Sequence, residues 1–117
     1  MNILLDLTTI LTNLQIPFEA GHYSGVPPDE YVVIIPLADS FALAADNLPQ
    51  VDEQEARLAI YSKNNFYPLR DKITKSLLKH NFTITDRRYI GFESQTKYHH
   101  AAIDVAKTYQ YENESEG

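Results

Sequence analysis

Two adjacent histidines, His99 and His100, are the residues whose types most suggest a ligand site. Imidazole nitrogens bind zinc and other transition metals, but such a site needs side chains that converge on one point. The surrounding pattern predicts a strand, and neighbouring strand residues point to opposite faces. We therefore expect the pair not to share a metal, with one histidine against the helices and the other exposed.

The other residues able to do chemistry form no recognisable catalytic motif. His22 lies near Asp29 and Glu30, but the spacing lacks the helical histidine pattern of a metalloprotease. No serine stands in a Gly-x-Ser-x-Gly elbow, and the four glycines are not spaced as in a phosphate-binding loop. We expect no catalytic, cofactor or metal residues, and a solvated loop around His22.

Charged residues near the end of the chain allow two interpretations. Asp86, Glu93 and Asp104 form either a carboxylate cluster or, as we favour, a charged strand edge. Arg87 and Arg88 are the only adjacent basic pair. They form either an anion site or, as we favour, a segment that deters edge pairing or makes ion pairs between subunits.

Composition narrows the classes of protein further. A chain of 117 residues has the size of one domain, and the absence of cysteine excludes disulfides and thiol chemistry. A net charge of −6 disfavours a free nucleic-acid partner, because phosphate neutralisation supplies much of that affinity. No apolar run approaches the length of a membrane span, and no basic segment precedes the apolar N-terminal residues.

The elements that position these residues begin with a helix. Apolar residues at helical spacing over 2–14 predict an amphipathic helix that Asn2 caps and Pro17 ends. Phe18 begins a short strand in an otherwise loop-rich segment. The β-branched run 31–35 predicts a strand, closed by Pro36, that is either buried on both faces or central in the sheet.

Residues 38–50 are the hardest stretch to place. Phe41, Leu43 and Leu48 alternate with small and acidic residues such as Asp46. The stretch is either packed local structure or, as we favour, a mobile loop that becomes ordered on a partner. We expect Phe41, Leu43 and Leu48 to be buried only on assembly.

In the second half of the chain, apolar and polar residues alternate clearly enough to predict individual strands and a helix. Residues 56–61 predict a strand with Leu58 on its dry face and Tyr61 on its wet face. A helix follows, with Leu69, Ile73 and Leu77 as its apolar stripe. Strands over 82–92 and 98–111 form a hairpin, with irregular pairing expected near the arginines and Gly91.

These elements predict one α+β domain over residues 1–111. Its order is α-β-β-β-α-β-β, with a mostly antiparallel sheet and both amphipathic helices packed on one face. The acidic residues 112–117 predict a disordered tail.

The stretch 56–105 resembles the tail-completion and tail-terminator (head–tail joining) proteins of long-tailed bacteriophages and prophages. The similarity lies in Leu58-Ala-Ile-Tyr-Ser-Lys-Asn-Asn-Phe66, in Leu77-Leu-Lys-His-Asn-Phe82, and in Tyr89-Ile-Gly-Phe-Glu93 with Thr96 and Tyr98-His99. Asn81 stands where glycine is commoner. The order of elements also agrees with that small α+β fold.

The resemblance implies a virion structural protein without catalysis or cofactor. Such proteins assemble as a ring, usually of six subunits, that completes or terminates the tail tube and docks on the head connector. The implied partners are further copies of the chain, the tail-tube protein and the head connector, while DNA passes without specific binding and no membrane is involved. The implied locations are the head-proximal end of the tail and, before assembly, the bacterial cytoplasm.

Two alternatives stay open. The first is a different phage connector or minor capsid protein. The second is a small intracellular ligand-binding or regulatory domain, or an unrecognised enzyme that uses His99, His100, Asp86 or Asp104. If the chain is an assembly protein, a group of exposed or loop residues is expected at its interfaces: Phe41, Leu43, Asp46, Leu48, Arg87, Arg88 and Tyr111.

Overall fold

A computed structural model describes residues 2–43 and 50–110 of the chain. The described elements, in chain order, are α1 (Ile3–Asn13), β1 (Phe18–Ala20), β2 (Glu30–Leu43), β3 (Gln50–Ser62), α2 (Tyr67–Lys79), β4 (Thr83–Glu93) and β5 (Tyr98–Gln110). The α+β class and the predicted order of helices and strands are therefore confirmed.

The described strands form one five-stranded sheet in the spatial order β1-β2-β3-β5-β4. β1 pairs with β2 in parallel, and every other neighbouring pair is antiparallel. β3 and β5 therefore lie at the centre, while β4 forms one edge. β1 covers β2 only over residues 32–34, so most of the outer side of β2 forms the opposite edge.

Both helices pack on the same face of the sheet, as the apolar stripes predicted. Leu7 and Leu11 of α1 and Ile73 and Leu77 of α2 are fully buried against this face. The sheet contributes alternate residues of its strands to the same core: Val32, Ile34, Ala56, Leu58, Ile60, Ala101, Ile103 and Val105. The predicted dry face of β3 is confirmed by this alternation.

Polar contacts fix α1 to the far ends of β3 and β5. Asn2 caps the helix as predicted, accepting a hydrogen bond from the Leu5 amide at 2.8 Å. The Asp6 carboxylate accepts from the Tyr109 hydroxyl at 2.6 Å and from the Lys107 ammonium at 3.2 Å. Burial and the hydrogen bond to Asp6 raise the pKa of Tyr109, so the phenol remains a donor at neutral pH.

An asparagine lies near each end of α2. The Asn65 side chain accepts a hydrogen bond from the Tyr67 amide at 3.1 Å. Asn81, just past the helix, has φ of 68°, the left-handed conformation that glycine usually supplies. The Phe82 amide donates to the Leu77 carbonyl at 3.0 Å, which turns the chain into β4.

The expectation that Pro36 closes the second strand is wrong. β2 continues to Leu43 and pairs with β3, with a register shift between Pro36 and Ala38. Proline is tolerated beside a bulge on a strand whose outer side is largely uncovered. The backbone of Phe41 and Leu43 is thus in a strand, and a loop over all of 38–50 is likewise wrong. Asp46 and Leu48 lie outside the described residues.

β4 is irregular at the two places that the sequence singled out. Its pairing with β5 shifts between Ile84 and Asp86 and again between Tyr89 and Gly91. Both shifts confirm the predicted distortions near the arginine pair and Gly91. Tyr111 and the predicted tail 112–117 lie outside the described residues. No helix in the described part of the chain is long and apolar enough to cross a membrane.

Candidate functional site

The sheet face away from the helices carries an aromatic cluster. Tyr31 and Tyr61 stack with ring centroids 4.8 Å apart, and Tyr98 meets Tyr31 edge-on at 5.4 Å. Tyr23 packs at 4.8 Å from Tyr31, and His100 stacks on Tyr61 at 4.3 Å. This cluster corrects the expectation that the face of β3 carrying Tyr61 is simply wet.

Cross-strand register brings these rings together. Tyr31 of β2 lies opposite Tyr61 of β3, which in turn lies opposite His100 of β5. Ala59, the next residue along this face of β3, is only 1% exposed, because larger side chains cover it. The sheet thus protects its open face by lateral packing of aromatic side chains, without a second layer of helices.

The environment of the cluster raises the pKa of two of its phenols. Burial, followed by the nearby Tyr61, Tyr98, Glu93 and Tyr23, raises the pKa of Tyr31 to about 12. Burial also raises the pKa of Tyr61, followed by the effect of Glu93. These phenols are therefore neutral at physiological pH and act as aromatic surface rather than as acids or bases.

His100 has the opposite shift. Burial, reinforced by the charge of Arg57, lowers its pKa, and Glu93 opposes this only in part. Its Nε2 is buried and has no hydrogen-bond partner among the described residues. An open cleft of about 280 Å³ beside it is lined by Tyr61, Ile90, Gly91, Phe92, Glu93, Tyr98 and His100.

His99 lies on the helix side of β5, whereas His100 lies on its open face, which confirms that the two histidines point to opposite faces. Its Nδ1 lies 3.1 Å from the Tyr89 hydroxyl, and its ring lies 4.8 Å from that of Phe92. Each histidine is half-buried, so the expectation of one tucked and one exposed side chain is wrong. Among the described residues, no three His, Cys, Asp or Glu side chains are grouped to hold a metal ion.

The carboxylates near β4 and β5 are paired with arginines rather than with one another. Arg57 makes a bidentate contact to Asp104, with Nε–Oδ1 at 2.7 Å and the second pair at 3.0 Å. Arg88 Nε lies 2.6 Å from Asp86 Oδ2. Asp86 and Glu93 lie on edge strand β4, in line with the favoured charged strand edge, whereas Asp104 lies on the central strand β5, so the three carboxylates do not form one edge.

The expected interface residues lie on two separate parts of the molecule. Arg87 and Arg88 are both exposed on edge strand β4, on opposite faces. Arg87 points toward α2, where its Nη1 lies 3.4 Å from Thr74 Oγ1. Phe41 and Leu43 belong to β2, at the other edge, so the structure does not bring these residues into one site.

A group of exposed apolar side chains near the β4–β5 turn was missed from the sequence. Tyr67, Tyr89, Ile90 and Phe92 are each about half exposed. Three of them stand in the run Tyr89-Ile-Gly-Phe, where strict alternation fails. That failure of alternation, together with the bulge at Ile90, is the signal that both faces of the strand carry large side chains here.

A scan against models of protein families finds no match for the chain, and no curated protein matches it significantly.

Proposed function

We propose that this chain is a structural protein of a bacteriophage tail. It completes or terminates the tail tube and forms the surface that joins the tail to the head connector. It does so as one subunit of a ring, for which the resemblance implies six subunits. The proposal rests on the resemblance of residues 56–105, and the fold agrees with it in the order of elements.

The observation that carries the proposal is the exposed second half of β2, which stays paired with β3 as far as Leu43. Residues 36–40 of β2 are exposed at every position, although they are paired with β3 on both sides of the register shift between Pro36 and Ala38. β2 has 14 residues, a span of roughly 45 Å at strand geometry. A strand pair exposed in this way gives a subunit the reach to contact a neighbour.

The residues that carry the resemblance form turns and caps. Ser62 is fully buried, and its hydroxyl accepts from the Asn64 amide at 3.0 Å. Thr96 bonds Glu93 across the β4–β5 turn, and the Tyr98 hydroxyl donates to the Pro28 carbonyl at 2.6 Å. Such residues specify the scaffold, which leaves contact with partners to the exposed edges.

The partners under this proposal are other copies of the chain, the tail-tube protein and the head connector. The chain acts in the head-proximal end of the tail after a soluble stage in the bacterial cytoplasm. DNA passes the ring without specific binding. The net charge of −6 supports this last point, because a negative lumen repels phosphate.

Deleting the gene from its phage or prophage tests the proposal. Electron microscopy of induced lysates should show heads and tails that are not joined, and a plasmid copy of the gene should restore infectious particles. Tails of uncontrolled length would indicate a terminator, whereas headless tails of normal length would indicate a completion protein. Normal-length tails joined to heads would show the proposal to be wrong.

The binding partners of the chain distinguish the proposed role in the tail from a role as another connector protein. The tagged chain should retain the tail-tube protein in a pull-down if it acts on the tail. Retention of the portal protein alone would favour another connector or a minor capsid protein. Flanking genes for portal, capsid and tail-tube proteins would support the class before any purification.

A small ligand-binding domain is the second candidate, and the cleft beside His100 is the observation that favours it. The cleft is open, and it is lined in part by His100, whose Nε2 has no hydrogen-bond partner among the described residues. A thermal-shift screen with metabolites and divalent metals tests this. A rise of several degrees in Tm that His100→Gln abolishes would favour the ligand-binding function.

A further inference from the structure

Acidic and basic residues are segregated along the chain. The first Lys or Arg is Arg57, so all 10 basic residues follow Ala56. The preceding part of the chain carries nine acidic residues and no basic one: Asp6, Glu19, Asp29, Glu30, Asp39, Asp46, Asp52, Glu53 and Glu55. The net charge of −6 is therefore the sum of a negatively charged first part and a positively charged second part.

The fold places these parts at opposite edges of the sheet. The acidic part forms α1, β1, β2 and the first half of β3, whereas the basic part forms α2, β4 and β5. β2 and β4 are separated by β3 and β5, so they lie about 14 Å apart. Lys107 pairs with Asp6 and Lys63 with Asp29 across this division. The exposed charges on β2 and on β4, however, are too far apart to pair within one subunit.

The acidic arm is the paired segment formed by residues 36–43 and 50–56. Asp39 and Glu53 are exposed on it and lie on opposite faces, since Asp39 pairs in register with Gln54 and Glu53 with Ser40. Glu55 is exposed as well. None of these three carboxylates forms an ion pair with another residue in the described part of the chain.

The basic surface is the solvent side of α2 with the adjoining side of β4. It contains Arg70, Lys72, Lys75, Lys79 and Arg87. Of these, only Arg70 has a carboxylate partner among the described residues, the neighbouring Asp71 at 3.0 Å. Leu78 is 58% exposed between these cations and supplies an apolar centre.

We propose that the acidic arm of one copy of this chain docks on the basic surface of the next copy. The two surfaces are complementary in charge, and each adds an exposed leucine, Leu37 on the arm and Leu78 on α2. A contact between different surfaces on opposite edges is head-to-tail, so it closes into a ring or continues as a filament. This contact deepens the proposed function by assigning the surfaces that join ring subunits.

Charge exchange tests the contact in solution. The first variant, Lys75→Glu with Arg87→Glu, cancels the positive charge of the basic surface, because the three remaining cations then stand beside two introduced carboxylates and Asp71. The second, Asp39→Lys with Glu53→Lys, replaces a carboxylate on each face of the arm and cancels its negative charge in the same way. Each variant alone loses the charge complementarity of the contact, and its self-association, followed by analytical ultracentrifugation, should be weaker by about tenfold or more.

Mixing the two variants should restore association as mixed dimers. The unchanged acidic arm of the first variant then meets the unchanged basic surface of the second, so the two variants bind each other although neither associates alone. General charge effects do not explain such a rescue, because both variants remain net negative when the starting charge is −6 and each pair of reversals shifts it by four. The matched control, Lys63→Glu with Lys97→Glu, has the same net charge as the first variant and should assemble like the wild type.

Salt provides a second readout. Raising salt from about 0.1 M to about 1 M shortens the Debye length from ~10 Å to ~3 Å and should weaken wild-type assembly. A wild-type chain that stays monomeric at high concentration and low salt would overturn the contact. So would weakened assembly of the basic-surface variant together with unchanged assembly of the arm variant, since the basic surface would then bind a different acidic surface. Each result is independent of the gene deletion, which tests the phage function itself.

Discussion

The two faces of the sheet are protected from water in different ways. The face under the helices is aliphatic, with Leu58, Ile60 and Ile103 fully buried beneath α1 and α2. The open face has no helical layer in the described structure, and it relies on aromatic rings that cover one another and the backbone. Tyr31 and Tyr61 exemplify this arrangement.

The difference shows why tyrosine suits the open face. An aliphatic side chain gains stability by leaving water completely, which requires a second layer. A tyrosine buries its ring against neighbours while its hydroxyl remains solvated or finds a carbonyl, as Tyr98 does with Pro28. The open face is therefore stable without a partner and still presents aromatic area to one.

The largest expected effect lies on the helix-covered face. Leu58→Ala should lower the free energy of unfolding by ~2–5 kcal/mol, because Leu58 is fully buried between the sheet and the helices. Urea denaturation measures this loss. Leu78→Ala, at an exposed position, is the control and should change stability by less than about 0.5 kcal/mol. A loss below about 1 kcal/mol for Leu58→Ala would contradict the assignment of this face.

The next effect measures the aromatic cluster. Tyr31→Ala should cost about 2–3 kcal/mol, since the ring contacts Tyr23, Tyr61 and Tyr98. Tyr31→Phe keeps the ring and should leave the midpoint of urea unfolding nearly unchanged. If both substitutions destabilise the protein equally, the hydroxyl of Tyr31 and not the packing of its ring contributes the stability. The open face would then not be stabilised by aromatic packing.

A smaller effect comes from one hydroxyl at the rim of the cluster. Tyr98→Phe removes the donor to the Pro28 carbonyl and should cost about 1 kcal/mol. Thermal unfolding of Tyr67→Phe, whose ring is exposed, provides the reference. Equal Tm values for the two variants would mean that the 24–30 segment is not held by this bond.

The smallest expected effect is a pH dependence from His100. Burial lowers the pKa of this imidazole in the folded state from its ordinary value of 6.5. The unfolded chain therefore binds more protons below that pH, and stability should fall as the solution is acidified through pH 6.5 toward the lower folded pKa.

His100→Gln should flatten this part of the stability–pH curve by less than about 1 kcal/mol, because solvent screens a half-buried group. His22→Gln, in an exposed loop, should leave the slope as in the wild type. A curve for His100→Gln that matches the wild type between pH 7.5 and 5.5 would show that the charge of His100 is tolerated.

The scaffold could be predicted from the sequence because its signals are local. Helical spacing predicted the buried stripes of α1 and α2, and alternation predicted which residues of β3 and β5 face the helices. The positive φ of Asn81 is also a local feature, since asparagine tolerates the left-handed conformation.

What the sequence did not reveal depends on pairing between distant strands. Tyr31, Tyr61 and Tyr98 are far apart in the chain and form a cluster only through the register of β2, β3 and β5. Pro36 suggested the end of a strand. It is tolerated within β2 because β1 pairs with β2 only over residues 32–34, and the local sequence pattern does not show this. The charge segregation is visible in the sequence, but its meaning required the order of strands in the sheet.

The contacts that hold α1 have a consequence for the order of folding. Asp6 binds Lys107 and Tyr109, partners that lie about a hundred positions further along the chain. During synthesis, the segment over residues 3–13 is made long before these partners. Its apolar stripe must stay without its final anchor until β5 pairs with β3. Mutations that slow the formation of β5 would therefore prolong exposure of α1 and favour aggregation of the nascent chain.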